Sequence, residues 1–319
     1  MCGFAISLEL PVCWFAVSAD RIELAGTEAL DFLHRMSTAE LATLPVGEGQ
    51  ATVFTTEKGR IKDVAFVFHR ELQAVEVFCS EGVGLSLLQW LRRFLFTEDV
   101  RLYPPQRWTG AAIHGFHSDA ALQQLGLVPP TGRGWGSGYA TAVRGVPIRC
   151  FRVPPFMGAA AYFLLVPEVQ AAECEQLLLT AIGRPLAPEQ AEVFRIFAAQ
   201  GRYGAEWSEE YNPLEAGLAQ LVSTSKGCYV GQEVLARLET YSKVQRHLIR
   251  LWSPAPVKPS QPFYVETQTV GILTSAAPVP EQHLWIALGY VRREWGQAEE
   301  FWTEGSAGER VPLYPVRAR

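Results

Sequence analysis

From Thr27 onward, apolar residues recur at Leu30, Leu33 and Met36, the spacing of a helix with one buried face; Thr27 can cap it, and it ends near Ser37. Two strand-like runs follow, Ala51 to Thr56 and Ile61 to Phe68, joined by Glu57-Lys58-Gly59-Arg60, where Gly59 is free to take positive φ. Ala74 to Cys79 reads as a third strand, and Leu85, Leu88, Leu91 and Leu95 mark an amphipathic helix from Val83 to Leu95. Between Tyr103 and Gly158 the character changes. Pro-Pro pairs at 104, 129 and 154 and a glycine-rich run from Thr131 to Gly138 predict long connections between short strands. A strand at Ala161 to Val166 precedes a helix from Pro167 to Ile182 that Gly183 terminates, and a second helix, Ala187 to Gln200, is ended by Gly201. After Tyr241 only short strands remain: His247 to Trp252, Phe263 to Glu266, Val270 to Ser275 and Leu284 to Arg292.

Mixed strands and helices followed by strands alone predict the α+β class: a body over 1–243, divisible near 103–158, and a small antiparallel β-barrel over 244–319. The 319 residues are 48% hydrophobic and 19% charged, enough for sizeable cores. A net charge of -5 argues against a sequence-independent nucleic-acid binder, whose affinity comes from cations meeting phosphates. The longest nearly apolar stretch, Phe156 to Pro167, is too short to span a bilayer. Met1 to Val17 has no basic residue before its apolar part and carries Glu9, so no secretory signal is read and the expected compartment is the cytoplasm.

Six cysteines, at 2, 13, 79, 150, 174 and 228, show no zinc or redox-dithiol spacing. Most read as small buried hydrophobes. Cys228 differs, lying in Lys226-Gly227-Cys228-Tyr229-Val230-Gly231-Gln232-Glu233 with a helix predicted from Gln232 to Glu239. A helix N-terminus and a neighbouring cation both favour thiolate over thiol. The alternative is a turn cysteine buried between glycines that serve a tight bend. His114 and His117 sit among turns and lack further ligands, Arg92-Arg93 and Arg292-Arg293 read as solvated element ends, and Gly132 to Gly138 has no following Lys-Ser or Lys-Thr, so it is no P-loop. Trp135 and Tyr139 read as loop residues that a ligand could use for stacking.

The motif K-G-C-Y-x-G-Q-E resembles the signature of the YgfZ-type folate-binding proteins, relatives of the aminomethyltransferase (T-protein) of the glycine cleavage system. Glu210 to Leu218, Phe32 to Thr38, Lys58 to Asp63, Val270 to Ser275 and Ala287 to Val291 are similar to other family blocks in order and spacing. The resemblance implies a three-part body around a central opening that binds tetrahydrofolate, with a C-terminal β-barrel. It implies a role in assembly or repair of iron–sulfur clusters, and through cluster enzymes in tRNA modification, with iron–sulfur client or assembly proteins as partners and without direct nucleic-acid or membrane contact. Independent turnover is not expected; the alternative is a folate-dependent one-carbon transferase. Cys228 would act as nucleophile, redox group or transient cluster ligand, with no stable metal, since one thiolate cannot hold a cluster. Lys226, Tyr229 and Gln232 of the motif are carried over as folate-binding.

Asp63 matches the acidic residue that the T-protein uses next to the folate, where a carboxylate can hold a proton during one-carbon transfer. Its other reading is a solvent-face Asp paired with Arg60 or Lys62. Around Arg195 the chain departs from the family. The T-protein has Arg-x-Glu-x-Gly, with the glutamate hydrogen-bonding the pterin; this chain has Arg195-Ile196-Phe197-Ala198-Ala199. Phe197 accepts no hydrogen bond, which should weaken pterin binding by about 1.5–3 kcal/mol. Arg195 either reaches the ligand or pairs with a nearby carboxylate.

Overall fold

The structure is a computed structural model that describes residues 12–132, 134–156, 159–241 and 243–316. Most of the stretch read for a leader, with Cys2 and Glu9, lies outside the described residues, as does Arg133 in the glycine-rich run. The body comprises β1 (Cys13–Ala25), α1 (Ala29–Met36), β2 (Gly49–Thr55), β3 (Ile61–Glu71), β4 (Ala74–Ser80), α2 (Gly84–Arg92), β5 (Arg101–Leu102) and β6 (Gln106–His114). It continues through α3 (Ser118–Gln124), β7 (Gly138–Val143), β8 (Val146–Phe156), β9 (Ala159–Pro167), α4 (Ala171–Ala181), α5 (Pro188–Phe197) and α6 (Gln232–Thr240). Then come β10 (Arg246–Ser253), β11 (Pro262–Val265), β12 (Gln268–Val279), β13 (Leu284–Arg292), β14 (Phe301–Glu304) and β15 (Arg310–Pro315).

The body strands form one nine-stranded sheet in the order β4-β3-β2-β7-β8-β9-β6-β1-β5, and β4 also pairs with β1, so the sheet closes on itself. Closure gives it an inside and an outside, and strand alternation assigns each residue to one of them. The outward residues Ile22, Leu24, Ala65, Val67, Val75 and Val77 pack under α1 and α2. Trp14, Ile113, Leu164 and Val166 pack with residues of α3 and α4. Inside, Phe66, Phe68, Phe78, Phe151 and Trp108 meet edge-on or stacked. Among them lies Glu76, only 1% exposed. Its carboxylate accepts from Arg21 Nε at 2.9 Å and Arg149 Nε at 2.7 Å, so this buried charge is neutralised where it sits. The C-terminal strands form a closed barrel, β10-β13-β12-β11-β14-β15. The α+β class and the C-terminal barrel are therefore as expected, with β14 and β15 added to the anticipated strands.

Local expectations fail where tertiary contacts override them. Thr27 does not cap α1; its hydroxyl donates to Asp99 at 2.8 Å. On α2 the buried leucines are Leu87, Leu88 and Leu91, while Leu85 is exposed. The stretch 103–158 carries strands of nine and eleven residues rather than short ones. Its proline pairs misled: Pro154-Pro155 sits at the end of β8, where the pairing with β9 shifts register and no ladder donor is needed. Helix α5 stops before Gly201, because Ala199 turns into the left-handed region with φ 54. Among the described residues, no helix is long and apolar enough to cross a membrane.

Candidate functional site

One end of the closed sheet is not filled. There a cavity of about 330 Å³ is walled by inward positions two apart on four strands: Phe15, Val17 and Ala19 of β1, Val64 and Phe66 of β3, Phe78 and Ser80 of β4, Phe163 and Leu165 of β9. The segment after α5 closes it with Gly201, Tyr203 and Trp207, and the glycine-rich loop contributes Trp135. Aromatic rings make up much of this lining, and Ser18, Glu81, Gln200 and Arg202 add polar groups to it. Two of its lining residues hold orphaned donors: the indole N–H groups of Trp135 and Trp207 are buried without a hydrogen-bond partner. An unsatisfied buried donor costs about 1–3 kcal/mol, so an acceptor brought within reach of either indole would recover part of that cost. Gly201 is a steric requirement, since a Cβ there would stand 2.3 Å from Trp207 Nε1.

Asp63 lies just behind this wall. Its alternation partners Ala65 and Val67 face the core under α1 and α2, and the residue that reaches the cavity is its neighbour Val64. The Asp63 carboxylate is fully buried and accepts from the backbone N–H and the hydroxyl of Ser80, both at 2.7 Å. Burial pushes its pKa up to about 6 despite those two bonds. The carboxylate is not part of the cavity lining, and the solvent-face reading is overturned. Arg60 donates instead to the Glu210 carbonyl at 2.9 Å, and Lys62 pairs with Glu209 at 2.9 Å. Ser80, which the sequence did not single out, connects Asp63 to the cavity.

Arg195 is part of the wall, but its guanidinium is fully used. Nε and Nη2 bind Glu192, Nη1 binds the Gln200 carbonyl and Glu206, and Nη2 also binds Ser275. Those contacts take all of its roughly five N–H donors. It ties α5 to β12 of the barrel rather than holding a ligand. Glu206, 0% exposed, is the other half of that knot, accepting from Thr274 at 2.6 Å and Ser275 at 2.7 Å as well. Phe197 does not line the cavity; it packs with Phe194 and barrel residues Ile286 and Leu288.

The cysteine motif sits elsewhere, clamped onto α1 and the β2–β3 turn. The Lys226 ammonium donates to the carbonyls of His34, Ser37 at 2.8 Å and Ala39 at 2.6 Å, closing off the end of α1. Burial draws its pKa down to about 8, so it stays charged at neutral pH. Tyr229 is buried under that ammonium, 5.1 Å from ring centroid to Nζ, and Gln232 reaches back to the Lys226 and Gly227 carbonyls at 3.4 Å each. Thr55 donates to the Val230 carbonyl at 2.6 Å. Lys226, Tyr229 and Gln232 therefore shape the loop and are not among the residues that wall the aromatic cavity. Cys228 is exposed, whereas Cys13, Cys79, Cys150 and Cys174 are buried. The buried-turn reading of Cys228 falls, and the Lys226 ammonium is bonded to the carbonyls at the end of α1 rather than to its thiol. Among the described residues, no group of three His, Cys, Asp or Glu side chains could hold a metal ion.

The profile of the GCVT N-terminal domain family matches residues 15–226. A chloroplastic protein of Arabidopsis thaliana that carries a transferase name is 29% identical over 276 residues, covering 86% of this chain but 63% of that protein. An aminomethyltransferase of Synechococcus elongatus is 27% identical over 306 residues, covering 93% of this chain and 81% of its own. The crystal structure of the glycine cleavage system aminomethyltransferase T from Bartonella henselae superimposes with a TM-score of 0.79 over 97% of this chain and 86% of that one. At 19% identity it shows the fold alone.

Proposed function

Because this chain belongs to the GCVT N-terminal domain family, we propose that it binds a reduced folate, pterin end inward, in the aromatic cavity of the closed sheet. The observation that carries this reading is the pair of unpartnered indole donors, Trp135 and Trp207, set in a slot of phenylalanine rings. A pteridine is flat, stacks on aromatic faces and bears ring nitrogens and a carbonyl that accept hydrogen bonds. The two indole donors suit the acceptor atoms of such a group, a separate set of contacts from the N–H groups that the family glutamate accepts from.

Bound folate supplies N5 and N10, the nitrogens that carry one-carbon units. Ser80 donates to Asp63 and keeps oxygen lone pairs of its own, so a proton arriving at Ser80 can pass inward as the hydroxyl proton moves to the carboxylate. With a pKa near 6, Asp63 can both take and return that proton near neutrality. This path favours the second reading, a one-carbon transferase like the aminomethyltransferases among its relatives.

The finer reading, support of iron–sulfur cluster proteins, rests on the exposed Cys228, displayed on a loop whose backbone is fixed at both flanks. A partner protein or a small thiol supplies the remaining ligands in any cluster contact. The cytoplasm remains the proposed compartment.

Calorimetric titration with tetrahydrofolate tests the cavity. Trp207→Phe, which keeps the ring and deletes the N–H, should weaken binding about fivefold, the equivalent of about 1 kcal/mol for one hydrogen bond. Absence of binding heat in the wild type overturns the folate reading. For the cysteine, Cys228→Ala should fold and bind folate normally yet fail to restore cluster-enzyme activity in a deficient strain; full restoration removes it from the mechanism.

A further inference from the structure

Where the body enters the barrel, Lys243, Arg246, Arg292 and Arg293 line one depression of about 800 Å³. Arg246 on β10 is directly opposite Arg292 on β13 in the antiparallel register, and the Arg293 N–H donates to the Gln245 carbonyl at 2.9 Å, fixing the two segments together. Like charges facing each other across a ladder repel. Among the described residues none of the four forms an ion pair, although the chain has 33 acidic residues against 28 basic ones. Glu294, in the same depression, is not paired with them either. The guanidinium of Arg246 is held over the Tyr211 ring at 5.7 Å, and Tyr211 stacks on Tyr290 at 3.5 Å, so this cation is presented from a rigid base.

We propose that this depression is a binding site for a small, multiply charged oxyanion, a diphosphate or a polycarboxylate, which bridges Arg246 and Arg292. Planar guanidinium forks match both groups in bidentate fashion, and an anion between them turns the repulsion into attraction. A small ligand fits better than a polymer, because four cations in one hollow on a protein of net charge -5 give an extended polyanion little else to follow. The site is independent of the aromatic cavity and of what that cavity binds.

The test is calorimetry and thermal melting of the full chain with pyrophosphate, with citrate, and with sodium chloride at matched ionic strength. Wild type should bind pyrophosphate or citrate and melt higher with it than in chloride; a tighter pyrophosphate complex assigns the phosphate source, a tighter citrate complex the carboxylate source. The variant Arg246→Gln/Arg292→Gln should lose at least tenfold in affinity. In chloride alone, Arg292→Gln should melt at or above wild type, since it removes the repulsion, so the sign of its effect reverses when the anion is added. A wild-type response no greater than that to chloride overturns the proposal, as does an Arg292→Gln variant that is less stable in both conditions. Tighter binding of a 20-nucleotide single-stranded RNA than of either small anion overturns the small-ligand assignment.

Discussion

Replacing Asp63 by Asn should make the protein more stable at neutral pH. The carboxyl is fully buried, and burial lifts its pKa from 3.8 to about 6, against the pull of two Ser80 hydrogen bonds. Between those values the folded chain holds a proton that the unfolded chain has released. The associated stability is fully present below about pH 4 and is lost as pH rises through about 6. A rise of about two units corresponds to about 3 kcal/mol, missing from the wild type at pH 7.5. Asn is neutral at every pH and keeps both contacts: its carbonyl accepts the Ser80 N–H, and its amide donates to a Ser80 hydroxyl that turns from donor to acceptor. Allowing for imperfect geometry, Asp63→Asn should gain about 2 kcal/mol at pH 7.5 and little at pH 4.5. Urea titrations of both proteins at pH 4.5, 5.5, 6.5 and 7.5 measure this directly. A difference that does not change with pH, or a variant less stable at pH 7.5, refutes the argument. The same variant should lose any proton transfer to the cavity, so that stability and chemistry move in opposite directions.

Ala199 holds φ 54 at the end of α5, a conformation that costs a Cβ-bearing residue about 1–2 kcal/mol. Ala199→Gly should therefore raise stability by about 1 kcal/mol after the glycine's added chain entropy, seen as an upward shift of the thermal midpoint. The reverse holds at Gly201, where an added Cβ would stand 2.3 Å from Trp207 Nε1. Gly201→Ala should cost about 1–3 kcal/mol and, by displacing Trp207, weaken tetrahydrofolate binding; unchanged affinity would mean that Trp207 is not part of the site.

The failures and successes of sequence reading here follow from where each residue's partners lie. Segments with local punctuation were legible: α6 begins at Gln232 after Gly231 with φ 83, and α4 ends before Gly183 with φ 101, as their glycines imply. The orientation of β3 was not. In Asp63-Val64-Ala65-Phe66-Val67-Phe68 both faces are buried, so the polar-apolar alternation that normally reports the inward side is absent. The acidic side chain drew the functional assignment although Val64 is the one in the wall. Lys226 misled for a related reason. A lysine two residues from a cysteine reads as its electrostatic partner, yet its partners are carbonyls 187 to 192 positions away, on a helix end that local sequence does not connect to it. Arg195 likewise had its destination settled by Ser275, 80 residues on.

What these cases share is that tertiary structure consumed the charged groups which sequence had made conspicuous. Arg195 is spent on α5 and the barrel, Lys226 on α1, and Asp63 on Ser80, so the charged residues of the cavity wall that sequence left inconspicuous are Glu81 and Arg202. Beside them the wall holds the indoles of Trp135 and Trp207 and the residues Ser80 and Gln200. Phe197, which the resemblance sets at the position of the family glutamate, lies outside that wall and packs against the barrel. Restoring that glutamate alone, without turning residue 197 away from Ile286 and Leu288, would bury an unpaired carboxylate in an apolar interface instead of rebuilding a pterin contact.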